Sequence, residues 1–231
     1  MAISLSSSPV TVTCKGVLFD MDGILISSIG SVERSWTKWA EMRGVDPEYA
    51  LSVIHGRRAI ESLRAIRPDL DAEKELDILE DLEVEDTEDI VVLPGVCDLL
   101  KALPHHRWTV VTSATGRLAK VRLQAAGLPV PDEFVHGDLV TEGKPHPAPF
   151  LAGAKLLGLD ARECVVFEDS ESGVAAGKAA RCTVIATTFS HKAQELSAAD
   201  YLLKDLTGMR VVLLEDRLEL RFAGETPISK L

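Results

Sequence analysis

No two of the four cysteines, Cys14, Cys97, Cys164 and Cys182, are close enough to form a CxxC pair. The usual spacing of a zinc site or redox dithiol is therefore missing. Cys164-Val-Val-Phe and Cys182-Thr-Val-Ile are apolar stretches, so the thiols read as small buried hydrophobes rather than a disulfide frame. The opening MAISLSSSPVTVTCKG has no basic leader and no unbroken apolar segment, so it shows no secretory signal. No apolar run approaches the ~20 residues needed to span a bilayer. Positive charge is scarce: 25 Lys and Arg face 36 Asp and Glu, a net −11. A field of that sign repels nucleic-acid backbones and anionic lipid, and leaves a small anionic substrate only where the local charge is positive. Internal repeats and low-complexity linkers are also missing. The expectation is a cytoplasmic chain with no nucleic-acid or membrane partner, and nothing marks an obligate large interface.

What is present is apolar material: 46% of 231 residues are hydrophobic and 26% are charged, enough for a core without staples. Gly16-Val17-Leu18-Phe19 is a short apolar run ending abruptly in Asp20. Similar runs recur at Trp108 to Thr112, Val165 to Phe167 and Thr183 to Ala186. Short, continuously apolar, β-branched runs predict parallel strands buried on both faces. Between them lie helical patterns: Arg117 to Ala126 before Gly127, Pro147 to Leu157 before Gly158, and Gly173 to Ala180. The alternation predicts an α/β fold with a doubly wound parallel sheet.

Residues 28–93 break that rhythm. Val32, Trp36, Trp39 and Ala40 fall at helical spacing, Ala59 to Ile66 follows, then the acidic stretch Ala72 to Asp89. This reads as a helical insertion after the first strand, with the tryptophans as its core. Residues 1–27 and 94–231 then form the main body, and Pro94-Gly95 marks the return. Glu80 to Asp89 reads as a solvated helix and loop rather than a metal cluster. Arg210 to Leu214 and Leu218 to Phe222, around Glu215-Asp216, predict a terminal hairpin.

The sharpest local signal is Phe19-Asp20-Met21-Asp22-Gly23, two carboxylates at i and i+2 where a strand runs out. That spacing sends both to one face, at the carboxyl strand ends where open α/β sheets bind ligands. Like charges this close raise a pKa or require a cation, and hard oxygens suit Mg²⁺. Alone, the motif is better explained as a polar turn. Three further strand ends change the odds. Thr112-Ser113 offers hydroxyls before a helix start, Gly143-Lys144-Pro145 offers a cation, and Glu168-Asp169 offers two acids with Gly173 opening a close approach to the next helix.

These four segments resemble the four motifs of the haloacid dehalogenase superfamily of aspartate-nucleophile phosphatases, and the likeness covers nearly the whole chain. HGxR in the insert, TVVTSAT, GKPHPAPF, VVFEDSESGVAAGKAA and ATTF look most like the sugar- and polyol-phosphate phosphatases, relatives of β-phosphoglucomutase. The resemblance implies Asp20 as nucleophile and Asp22 as general acid and base. It implies Ser113 and Lys144 as phosphoryl-binding groups. It also implies Mg²⁺ held by Asp20, the Asp22 carbonyl and Asp169, with Glu168 binding directly or through water. Residues 28–93 correspond to a substrate-selecting cap, hinged near Ile26 to Ser28 and Leu93 to Gly95. In it Arg58, with His55 or Arg57, is the candidate contact to the sugar or polyol. The competing reading of Arg58 is a surface pair with Glu61. Ile24 and Ser27 depart from the usual pattern, which bears on the subfamily more than on the activity. A hexose phosphate mutase on the same core, and a silent binding protein of the same fold, remain alternatives.

Overall fold

The computed structural model describes residues 9–54 and 58–223. Strand Pro9–Cys14 (β1) leads into Gly16–Phe19 (β2), whose four residues are all buried. A two-residue strand, Ile26–Ser27 (β3), then opens four helices: Ile29–Met42 (α1), Pro47–Val53 (α2), Ala59–Ile66 (α3) and Ala72–Glu85 (α4). The chain returns through Val91–Val92 (β4), which pairs antiparallel with β3. Both connections between helices and sheet therefore leave through one small ribbon.

The remainder alternates as expected. Helix Val96–Ala102 (α5) precedes strand Trp108–Val110 (β5), and Gly116–Ala125 (α6) and Ala148–Leu156 (α7) precede Cys164–Glu168 (β6). Glu171–Ala179 (α8), Thr183–Thr187 (β7) and Tyr201–Leu203 (β8) follow. The central sheet is wholly parallel in the order β5-β2-β6-β7-β8. Alternate residues of each strand feed two cores. Val17, Phe19, Val110, Val165 and Phe167 pack with Leu99 of α5 and Leu123 of α6 on one face. On the other, Leu18, Val166 and Val184 pack with Phe150 of α7 and Val174 of α8. Such period-2 division over two covered faces defines a doubly wound sheet. Phe19 and Phe167 stack at 5.1 Å across adjacent strands.

The predicted hairpin is Arg210–Leu213 (β9) with Leu218–Ala223 (β10), and β10 also pairs with β1 in a three-stranded antiparallel sheet. Strand β1 has its own signal, the alternation Val10-Thr11-Val12-Thr13-Cys14, which the apolar-run criterion passes over. The expected run to Thr112 stops at Val110, because Thr112 donates its N–H to the Val135 carbonyl instead.

Helices α1 to α4 enclose a separate core of Trp36, Trp39, Ala50, Leu63, Ile66 and Leu79. The indole of Trp39 donates to Glu75 at 2.8 Å, and Arg43 donates to the same oxygen at 2.7 Å, so this buried acid is paired. Asp46 and Asp71 cap α2 and α4 by accepting backbone N–H groups. The solvated reading of the acidic stretch needs correction. Glu83 is buried and bonded to Arg122 of α6, because its phase on α4 places it on the buried side of the helix with Glu75 and Leu79. Cys14, Cys164 and Cys182 are buried, and burial pushes each thiol up to about 12; Cys97 is exposed. No helix among the described residues is long and apolar enough to cross a membrane.

Candidate active site

The carboxyl ends of β2, β5 and β6 open into a cavity of about 550 Å³, roofed by α1, α3 and α4. Asp20 stands at the end of β2, where the sheet delivers it beside the end of β6. Beyond it the chain turns sharply: Gly23 has φ +83°, and a Cβ there would lie 1.7 Å from the Asp169 carboxylate. Only glycine permits that approach. Gly173 does the same for Glu168, leaving 1.8 Å to a would-be Cβ.

Lys144 is 4% exposed and binds two acids at once, Asp20 at 2.8 Å and Glu168 at 2.6 Å. Burial works against its ammonium, but the two carboxylates outweigh burial and hold the lysine charged, above its ordinary range. Glu168 accepts from Lys144 through Oε1, and through Oε2 from the N–H groups of Asp169 and Ser170 and the Ser170 hydroxyl. Its geometry thus fixes the lysine and the start of α8. Asp169 accepts from Ser190 Oγ at 2.5 Å.

Asp20, Glu168 and Asp169 each present an oxygen within 4.8 Å of the others. Three buried carboxylates against one ammonium leave uncompensated negative charge. Burial, with Glu168 and Asp22 adding to it against the opposing Lys144, pushes Asp20 up to about 7. Burial, with Glu168 and Asp20, raises Asp169 well above the usual carboxylate range. A hard divalent cation is the group such a set of oxygens fits. Among the described residues no histidine joins a cluster of this kind.

Asp22 lies over the same cavity with one third of its side chain exposed. It accepts from Ser28 at 2.5 Å and from Arg122 Nη1 at 3.2 and 3.1 Å. Ser113 lines the cavity where β5 runs toward α6. Arg58 lines the opposite wall but is already engaged. It donates to Glu61, to the Val140 carbonyl at 2.9 Å and to the Thr141 carbonyl at 3.1 Å. His55 and Arg57 lie outside the described residues.

The structure therefore gathers Asp20, Asp22, Ser113, Lys144, Glu168 and Asp169 at one site, and holds Arg58 at its edge in a pair with Glu61. Sequence reasoning passes over Arg122, Glu83, Ser28 and Ser190. Arg122 had a readable sign: it falls on the buried phase of α6 with Leu118, Ala119 and Leu123. An arginine on an apolar stripe demands a carboxylate. Ser190 follows β7 with no pattern to mark it.

An aspartate pair at one strand end, a second acid pair at the neighbouring end and a lysine brought in from the loop before α7, where the sequence suggests a strand end, define a class, and comparison confirms it. Residues 14–181 match the haloacid dehalogenase-like hydrolase family, and the chain belongs to that family. Over 203 residues it is 43% identical to hexitol phosphatase A of Escherichia coli, covering 86% of this chain and 94% of that protein. Glycerol-1-phosphate phosphohydrolase 2 of Saccharomyces cerevisiae is 33% identical over 223 residues, covering 90% and 89%. The chain is thus an enzyme on the phosphatase side of the family. In fold it superposes on CbbY from Rhodobacter sphaeroides in complex with phosphate, with a TM-score of 0.76 at 23% identity over 84% of this chain and 96% of that one.

Proposed function

We propose that the protein hydrolyses small sugar or polyol monophosphates through a phospho-aspartate on Asp20. The observation that carries this reading is the convergence of Asp20, Asp22, Lys144 and Asp169 on one cavity. Burial among like charges raises Asp20 and Asp169 above the usual carboxylate range, an arrangement that a divalent cation would relieve. Residues 28–93 serve as the cap that selects substrate, and residues 1–27 and 94–231 as the catalytic body.

Phosphoryl transfer passes through a loose, in-line transition state, so catalysis is mainly positioning and electrostatics. Mg²⁺ held by Asp20, Asp169 and the Asp22 carbonyl, with Glu168 behind them, would supply the positive charge that lets a carboxylate and a phosphate meet. Lys144 supplies a fixed ammonium already aimed at Asp20 Oδ1. The Ser113 hydroxyl supplies a neutral hydrogen bond to a phosphoryl oxygen. Asp20 attacks phosphorus. Asp22 gives its proton to the departing alkoxide, then takes one from the water that cleaves the acyl phosphate. The apolar roof, including Ile29, Val32 and Trp36, keeps bulk water from the first step.

The test is a panel of sugar and polyol phosphates, assayed for released inorganic phosphate with and without Mg²⁺. Mg²⁺-dependent release from at least one supports the reading. Isomerised sugar phosphate without free phosphate, seen by phosphorus NMR, would replace it with mutase chemistry. No turnover of any member, nor of 4-nitrophenyl phosphate, would leave a binding protein.

A further inference from the structure

We propose that Arg122 is a positioning residue of this site, aiming the carboxylate of Asp22 and tying its orientation to helix α4 through Glu83. The inference rests on the hydrolase reading above and adds a residue to it. Arg122 projects from α6 and is 3% exposed. Its Nη1 reaches both oxygens of Asp22, at 3.2 and 3.1 Å, and its Nη2 reaches Glu83 Oε1 at 3.1 Å. The Nε is buried with no hydrogen-bond partner among the described residues. Among the described residues, the hydrogen bonds of the guanidinium all go to these two acids, which orient its plane.

Three separate pieces of the chain meet here. Asp22 belongs to the turn after β2, Arg122 to the helix after β5, and Glu83 to the helical layer. Ser28, at the start of that layer, donates to Asp22 at 2.5 Å on the same oxygen that Arg122 contacts. The acid–base group is thus held by a residue of the sheet body and by the N-cap residue of α1 together. A carboxylate whose two oxygens share one guanidinium nitrogen, itself fixed by the bond from Nη2 to Glu83, loses rotational freedom. Proton transfer demands that restraint, because misplacement by about 1 Å can cost on the order of 100-fold. Arg122 bonds to the Asp22 carboxylate and to Glu83, and its hydrogen bonds include none to Asp20, Asp169 or Lys144, so its effect passes through the Asp22 side chain. A merely structural staple between α4 and α6 would look the same by distance, so the experiment must separate the two.

The leaving group does so. kcat/KM covers the steps up to departure of the alcohol, where an alkyl leaving group needs the proton from Asp22 and 4-nitrophenolate needs it far less. For Arg122→Met the expected result is a loss of roughly 100-fold in kcat/KM on the best alkyl substrate among sorbitol 6-phosphate, glycerol 1-phosphate and 2-deoxyglucose 6-phosphate. On 4-nitrophenyl phosphate the loss should be only a few-fold. Arg122→Lys should recover part of the alkyl rate. Removing the guanidinium strands Glu83, so the double variant Arg122→Met/Glu83→Leu should regain thermal stability, as apolar replacement of a buried pair often allows. Its alkyl rate should stay low. Equal losses on alkyl and aryl substrates, or recovery of the alkyl rate together with Tm in the double variant, would overturn the assignment. Should Arg122→Met fail to fold, Glu83→Gln carries the same test, with an alkyl-specific loss of about tenfold expected and equal losses overturning it. A wild-type protein inert to all four phosphates would remove the hydrolase reading itself, which is distinguishable from an active wild type whose variants lose both substrates alike.

Discussion

The parallel sheet and the helical layer solve the problem of buried charge in different ways. At the strand ends of the sheet, three carboxylates crowd one lysine, and the arrangement is left short of positive charge. In the layer, the buried acid Glu75 accepts from Trp39 and is paired with Arg43, although the buried Ser35 and Ser62 hydroxyls have no hydrogen-bond partner among the described residues. Acids crowded around one ammonium in one region, against an acid paired with its own cation in the other, separate a site from a scaffold. Buried polar groups are normally satisfied, so the deficit at the sheet is the feature that marks function.

Substitutions can break this contrast, and the largest effect belongs to the sheet. Asp20→Asn removes the proposed nucleophile and should lower turnover by roughly 10⁴-fold or more. Steady-state phosphate release checks it, and a near-wild-type rate would dismiss Asp20 from its role. Asp22→Asn should cost about 10²–10⁴-fold with alkyl substrates. Chelation with EDTA should abolish turnover and added Mg²⁺ should restore it, while chelator-resistant turnover would mean that the acids are neutralised in another way.

In the layer, Trp39→Ala should cost about 3–5 kcal/mol of local stability. Hydrogen exchange is the readout: amides of α1 to α4 should lose protection while those of β2 and β6 keep it. Uniform loss would show that the two regions share one cooperative unit. Arg58→Ala frees the edge of the cavity from the Val140 and Thr141 carbonyls. A KM rise of roughly tenfold for a polyol phosphate, about 1.4 kcal/mol, is expected with kcat little changed. The smallest effect is chemical. At pH 8 a thiol reagent should label Cys97 alone, because burial pushes the other three cysteines up to about 12. Rapid labelling of more than one would mean that the sheet opens readily.

The two regions also differ in how plainly the chain announces them. The sheet was legible because burial on both faces leaves no room for polar residues: Gly16–Phe19 reads directly as β2, and each carboxylate follows where its run ends. The layer was legible as helices but not as contacts. Its α3 appears with its observed bounds, Ala59–Ile66, while α2, only seven residues long, gives too short a pattern. Glu83 and Arg122 are 39 positions apart, and nothing local says that one answers the other. Arg58 shows the same limit, since its bonds to Val140 and Thr141 span more than 80 residues. Periodicity reports which side of an element is buried, whereas partnership across elements depends on tertiary geometry.

The ribbon of Ile26–Ser27 against Val91–Val92 has one further consequence. Since entry and exit of the helical segment sit side by side, about 5 Å apart as paired strands do, the sheet experiences the whole segment as a single splice point. A transplanted insert of unrelated length could be grafted there without re-registering any neighbouring strand, provided that it keeps counterparts of the Ser28 and Glu83 side chains against Asp22 and Arg122.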